Sequence, residues 1–188
     1  CKSSPIRKTS NHLFLLLDKL QDRVSSWFGE RSKEWDKGAA AVTKAWLDKG
    51  LSKRCITRDL KWGVPVPLEG WQEKVFYVWF DACIGYISIT ASYTDQWREW
   101  WCTPENNVEL IQFMGKDNIP FHTIIFPSCL LGSQKEDNSK VKWTSLKQVN
   151  STSYLMYEGG KFSKSQGTGV FGPDAISEGL EQHIWRYY

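Results

Sequence analysis

The chain has 188 residues, 41% hydrophobic and 24% charged, with a net charge of +3 and a mean hydropathy of −0.45. That composition excludes a disordered, fibrous or membrane-spanning chain, and no membrane association is expected. Five cysteines at 1, 55, 83, 102 and 129 are odd in number and never in C-x-x-C spacing; this argues against a disulfide framework or a self-contained zinc site and for a reducing, cytoplasmic setting.

In chain order, His12 to Leu17 reads as a short strand or a helix start. Leu17, Leu20, Val24 and Trp27 then fall at helical spacing, with Gly29 as a natural stop. Ala39 to Lys49 is Ala-rich and ends at Gly50, a second helix. From Arg54 to Leu68 the glycine and prolines at 63, 65 and 67 predict an extended, irregular passage, and a boundary near residues 55–70. Residues 1–60 carry +6 and residues 61–188 carry −3, an asymmetry that suits either a nucleic-acid partner or a Lys-rich solvated surface.

Val75 to Phe80 is an unbroken β-branched and aromatic run, which predicts a strand buried on both faces, as in a parallel sheet. A helix is expected from about Ala82 to Tyr93, and Trp97, Trp100 and Trp101 lie at core-packing spacing on another. Val108 to Met114 predicts a second buried strand. Gly115, Lys116 and Asp117 turn it into a helix that runs to Leu131 and carries Pro120 in its first turn. Strand, polar turn and helix twice over make an α/β architecture with ligands at the carboxyl ends of the strands. Residues 133–142 read as a surface loop, Ser153 to Phe162 as a hairpin turning at Glu158-Gly159-Gly160, and the chain closes in helical segments from Asp174.

The sharpest chemical signal is Lys161-Phe162-Ser163-Lys164-Ser165, framed by glycines at 159, 160, 167 and 169. Two lysines three apart among hydroxyls suit a triphosphate whose leaving pyrophosphate must be neutralised; a solvated basic hairpin fits the composition equally well. It is not a Walker A loop, because Phe162 stands where Ser or Thr is required. Gly167 to Gly172 matches G-x-G-x-x-G but lacks the preceding apolar strand that a dinucleotide site needs. Asp117 either caps its helix or accepts hydrogen bonds from ribose hydroxyls. His122 is a core histidine or a pocket group, and Trp79, Ala82, Cys83 and Tyr86 either line an apolar pocket or pack strand on helix.

The order of these stretches carries more than any one of them. Residues 56–63 (ITRDLKWG), 76–86 (FYVWFDACIGY), 113–122 (FMGKDNIPFH) and 161–165 (KFSKS) together resemble the methionyl-tRNA synthetases of the eukaryotic type, a class I aminoacyl-tRNA synthetase family. The resemblance covers nearly the whole chain and is weakest at 29–40 and 133–148. It implies an α/β chain holding the second half of a Rossmann-type parallel-sheet catalytic domain at 61–150. The end of a connective insertion would occupy 1–60, and the signature-loop region with the start of stem-contact helices 151–188.

The roles it implies are these. Trp79, Ala82, Cys83, Tyr86 and His122 surround the methionine side chain, with Tyr86 and His122 nearest the sulfur. Gly115 and Asp117 face the ATP ribose; Lys161, Phe162, Ser163 and Lys164 meet the phosphates, the two lysines acting in catalysis. Arg58 orders the amino-acid end of the site through a carboxylate elsewhere in the enzyme, and Cys1 is the last ligand of a zinc knuckle. Methionine, ATP with Mg2+ and tRNA(Met) are the implied substrates, and other synthetases or scaffold proteins the implied partners. Phe162 departs from the methionine usual at that position, and Cys83 from the proline or small residue common there. The family's His-Ile-Gly-His half and its anticodon-binding domain have no counterpart in these residues, so the chain reads as a fragment inactive by itself. A non-catalytic RNA-binding or complex-assembly module is the alternative.

Overall fold

A computed structural model describes residues 4–134 and 142–187. The residues up to Ser151 form one compact unit and those from Thr152 onward a second. Cys1 and most of the expected 133–142 loop lie outside the described residues.

The first unit begins with β1 (Phe14–Leu15), which pairs antiparallel with β2 (Arg54–Cys55), Leu15 opposite Arg54. Between them run two helices. α1 (Leu17–Arg31) buries Leu17 and Val24 and passes through Gly29 for two further residues before a 3₁₀ turn at Ser32–Glu34. The helical propensity cost of Gly29 is offset by packing of the residues before it, Trp27 and Phe28, on Trp35, with ring centroids 5.5 and 5.6 Å away. α2 (Lys37–Lys49) starts where the Asp36 carboxylate accepts the Ala39 N–H at 2.9 Å and ends at Gly50, whose φ of 83° favours glycine. The same carboxylate accepts the Ser151 N–H at 2.6 Å, so one residue caps a helix and ties it to the last strand of the unit.

β3 (Thr57–Arg58) pairs antiparallel with β4 (Val75–Phe76). Here the sequence expectation is corrected. The run 75–80 is a strand for two residues only and turns helical at α3 (Val78–Asp81), and Val78 and Trp79 are exposed. A β-branched and aromatic run does not by itself distinguish strand from helix. A helical turn sets Phe76 and Phe80 four apart with ring centroids at 5.4 Å, and lays Trp79 on Phe121 at 4.8 Å. Ring packing decides what propensity leaves open. A 3₁₀ turn at Ala82–Ile84, then α4 (Gly85–Tyr93) and α5 (Trp97–Trp101), follow. Trp101 is buried and donates its indole N–H to Thr90 at 2.9 Å.

β5 (Leu110–Gly115) and β6 (Leu146–Thr152) form the parallel pair of the mixed α/β fold, with a helix between them as the crossover. β5 is not buried on both faces as expected. Gln112 is inside, whereas Phe113 is 78% exposed and Ile111 is also exposed, a period-2 pattern of a one-sided strand. The crossover helix begins at Ile119, widens to a π-helical turn at Phe121–Ile125, and continues as α6 (Phe126–Ser133). Pro127 explains the widening. It has no N–H for the Thr123 carbonyl and would clash with it in a regular helix, and a five-residue step, Phe126 N–H to Phe121 O, makes the room.

This helix serves all three core clusters: Ile124 and Ile125 meet Leu17, Val24 and Leu47; Ile119 meets Trp35, Leu146 and Val149; Phe126 meets Cys83, Ile87 and Trp101. Its Thr123 hydroxyl lies 2.8 Å from that of Thr43 on α2. Each also sits within 2.9 Å of the carbonyl four residues back, so one hydroxyl donates to the other and the second to its own helix. Both are fully buried. Thr43→Val leaves a buried hydroxyl short of a partner and is expected to cost about 1–3 kcal/mol. The Thr43→Val/Thr123→Val pair, apolar on both sides, should recover much of that loss, as read from urea unfolding midpoints.

The second unit contains a hairpin, β7 (Met156–Tyr157) with β8 (Gly160–Lys161), as the sequence predicts. Glu158 and Gly159, at φ 47° and 75°, make the type I′ turn that matches the strand twist. Two short helices, α7 (Gly172–Ser177) and α8 (Gln182–Tyr187), follow.

Candidate functional site

Four elements bring one polar and aromatic cluster together in the first unit. The Tyr86 hydroxyl, from α4, is 2.7 Å from His122 Nε2 in the widened turn, and His122 Nδ1 is 2.8 Å from the carbonyl of Asn118. A carbonyl only accepts, so Nδ1 carries the proton and donates to it. Nε2 is then a bare acceptor in the neutral ring, and Tyr86 donates to it. Burial pushes the His122 pKa below the usual 6.5, outweighing the Asn118 hydrogen bond, which favours the charged form. Burial pushes the Tyr86 pKa up, with Cys83 adding to the effect. Both shifts hold the pair in its neutral, hydrogen-bonded state.

Trp79 stacks nearly parallel on Phe121, at 21°, one residue before His122. Cys83 is buried, its thiol donates to the Phe121 carbonyl at 3.4 Å, and burial raises its pKa to about 12, so it packs as a thiol. Ala82 is exposed one turn before Tyr86. Trp79, Cys83, Tyr86 and His122 are thus brought together, with Ala82 at their margin. Phe121 and the Asn118 carbonyl, which hold this group, escaped the sequence reading; the i, i+4 spacing of Asn118 and His122 was the available signal for the second.

Gly115 and Asp117 lie at the carboxyl end of β5, both exposed, Asp117 in a 3₁₀ turn at Lys116–Asn118. A Cβ built on Gly115 would meet nothing within 4 Å, which leaves its backbone open to close approach. Arg58, on β3, donates to the Thr57 carbonyl at 2.8 Å and lies 3.8 Å over the Tyr77 ring, two residues from Trp79. It also lines a cavity of about 570 Å³ with Trp62, Val75, Tyr77 and Val78.

In the second unit Lys161 and Lys164 are exposed. Lys161 Nζ sits 4.1 Å from the Tyr154 ring centre, and Phe162 packs on Tyr157 at 5.7 Å. The loop is closed by reciprocal backbone bonds between Ser163 and Thr168, at 2.8 and 3.0 Å. Inside that closure Lys164 opens a 3₁₀ turn. Gly169 is required there: its φ is +123° and a Cβ would fall 2.2 Å from the Phe162 ring.

Among the described residues no group of three or more His, Cys, Asp and Glu is placed to hold a metal. Cys1, the expected zinc ligand, lies outside them. No helix among the described residues is long and apolar enough to cross a membrane.

Comparison with known proteins supplies the context. The family model for class I tRNA synthetases (M) matches residues 1–188. The chain is 56% identical over 189 residues to the probable cytoplasmic methionine--tRNA ligase of Schizosaccharomyces pombe, covering 100% of this chain and 23% of that protein. It is 53% identical over 188 residues to the cytoplasmic methionine--tRNA ligase of Saccharomyces cerevisiae, with 99% and 24% covered. To the human cytoplasmic protein it is 54% identical, with 100% and 20% covered. The chain therefore spans about a fifth to a quarter of the length of these relatives. Among solved structures it is similar to Mycobacterium tuberculosis methionyl-tRNA synthetase in complex with methionyl-adenylate. The TM-score is 0.70 at 23% identity over 90% of this chain and 31% of that one, a likeness of fold.

The depressed His122 pKa sets a direction in pH. Between the folded value and 6.5 the unfolded chain binds more protons, so unfolding free energy rises with pH there; the contribution is complete above 6.5 and is lost as the pH falls through that window. The urea midpoint of the intact protein should therefore fall between about pH 7.5 and about pH 5.5, and fall less in His122→Gln. Equal falls would remove His122 from the acid response.

Proposed function

The chain belongs to the class I tRNA synthetases (M), and on that premise we propose that it is a catalytic segment of a methionine–tRNA ligase. The full protein would activate methionine with ATP and transfer it to tRNA(Met). The observation that carries this reading is the neutral Tyr86–His122 pair beside the Trp79–Phe121 stack, at the start of the helix that follows β5. In this reading residues 61–150 supply the second half of the Rossmann-type domain, 1–60 the end of an insertion and 151–188 the loop region.

Trp79, Ala82, Cys83, Tyr86 and His122 would form the wall of the methionine side-chain pocket. Because the Tyr86 proton is committed to His122 and the Nδ1 proton to Asn118, the pair has no strong donor left over for a thioether. Sulfur would instead meet polarisable ring edges, which suit a soft, weak acceptor. Asp117 would accept the ribose hydroxyls, and Gly115 would let the nucleotide lie close to the backbone. Arg58 would order the amino-acid end of the site.

The reaction then follows from charge and position. The methionine carboxylate attacks the α-phosphorus in line, the bond to the bridging oxygen breaks, and pyrophosphate leaves. Lys161 and Lys164 would neutralise the departing charge, with Mg2+ arriving as part of the ATP substrate and Ser163 and the Phe162 backbone shaping the loop. A ribose hydroxyl of the terminal adenosine of tRNA then attacks the acyl carbon and AMP leaves. No covalent enzyme intermediate is needed, and the protein contributes positioning and electrostatics.

A module that only bound RNA or other proteins would need none of these buried protons placed in one tautomer. Methionine-dependent ATP–pyrophosphate exchange by the full-length protein tests the reading, with leucine and isoleucine as controls. Lys164→Ala is expected to lower the exchange rate about 100-fold or more with methionine affinity nearly unchanged. An unaltered rate removes Lys164 from the mechanism, and exchange indifferent to methionine removes the assignment.

A further inference from the structure

We infer that Arg54 is a positioning residue for the amino-acid pocket, acting through Phe121 on Trp79. Arg54 lies outside the stretches that carry the family resemblance. The inference rests on the reading that Trp79 walls the methionine site.

The geometry is a four-part stack. The Arg54 guanidinium carbon lies 5.7 Å from the Trp46 ring centre and 5.4 Å from that of Phe121. Phe121 in turn carries Trp79 at 4.8 Å. Both ends are anchored. Trp46 belongs to α2 and packs on the first core cluster; the Arg54 backbone is held in register opposite Leu15 by the β1–β2 pair. Arg54, Trp46 and Phe121 are each half-buried, where a cation over a ring face is less screened than at an open surface.

Phe121 needs such a support. Its carbonyl is occupied by the Phe126 N–H and the Cys83 thiol, so its backbone is fixed by the widened turn. Its ring has only rotamer preference and packing to hold it. With Trp79 on it and Arg54 restraining it, the ring is set, and Trp79, exposed by 39%, inherits the constraint. A guanidinium suits the task because it is planar, always charged and weakly hydrated; a lysine ammonium offers a point charge and no plane. The chain from α2 through β2 to the widened turn thereby ties the pocket wall to the first 60 residues.

The test uses the full-length enzyme and methionine-dependent pyrophosphate exchange, reading KM for methionine, KM for ATP and kcat. Arg54→Met, which keeps the aliphatic stem, is expected to raise the methionine KM about 5- to 10-fold with the ATP KM and kcat within about twofold. Arg54→Lys, which also covers the case of a poorly recovered Met variant, should fall between the two. In a Phe121→Leu background Arg54→Met should add less than about twofold, because the route through the ring is already cut. An unchanged methionine KM, equal rises in both KM values, or full additivity with Phe121→Leu would overturn the inference. Trp79→Leu separates the two readings: if it leaves the methionine KM unchanged in an active enzyme, the pocket assignment fails and takes Arg54 with it. A raised methionine KM in Trp79→Leu with none in Arg54→Met sinks Arg54 alone.

Discussion

The widened helical turn at Phe121–Ile125 is the constraint on which the first unit depends. Pro127 denies the Thr123 carbonyl its usual donor, and the helix answers with a longer step instead of a break. The extra residue changes which side chains face which way. Ile124, Ile125 and Phe126 go to two cores, Thr123 to the hydroxyl of Thr43, and Phe121 and His122 to the aromatic cluster. Every residue from Ile119 to Ser128 except Phe121 is buried. A helix used on so many sides cannot rotate without disturbing three clusters at once, and that rigidity holds the His122 ring where Tyr86 can reach it.

Two kinds of electrostatics are kept apart. In the first unit the polar groups of the cluster are neutral: burial disfavours charge on His122, Tyr86 and Cys83 alike, and their hydrogen bonds are between uncharged partners. Such a surface suits an uncharged side chain. In the second unit the two lysines stand in solvent on a loop closed by backbone bonds and by the Phe162 ring over Gly169. Charge there costs no burial. The Phe162 ring lies over Gly169 and packs against Tyr157.

Exposure of apolar surface follows from the strand pattern. β5 turns Gln112 inward while Ile111 and Phe113 face out, and Val78 and Trp79 on α3 are also open. The relatives are about four to five times as long as this chain. A one-sided strand of this kind is stable here because Leu110 and Met114 pack on the cluster of Trp35, Ile119 and Leu146.

The sequence by itself determined the elements whose signals are local: the Gly50 stop of α2, the hairpin turning at Glu158-Gly159-Gly160, the helix after Gly115-Lys116-Asp117, and the α/β class. It also pointed to the residues of the candidate site, because their order along the chain is family-specific. Only the tertiary structure decided the rest. The run 75–80 became a helix after two residues because tilted packing of Phe76 against Phe80 and stacking of Trp79 on Phe121 outweighed strand propensity. The tautomer of His122 depends on a carbonyl and a hydroxyl that reach it from Asn118 and from Tyr86, 36 residues away. The bridge from Arg54 to Phe121 spans 67 positions, and no periodicity of a one-dimensional pattern encodes a contact between rings and charges so far apart.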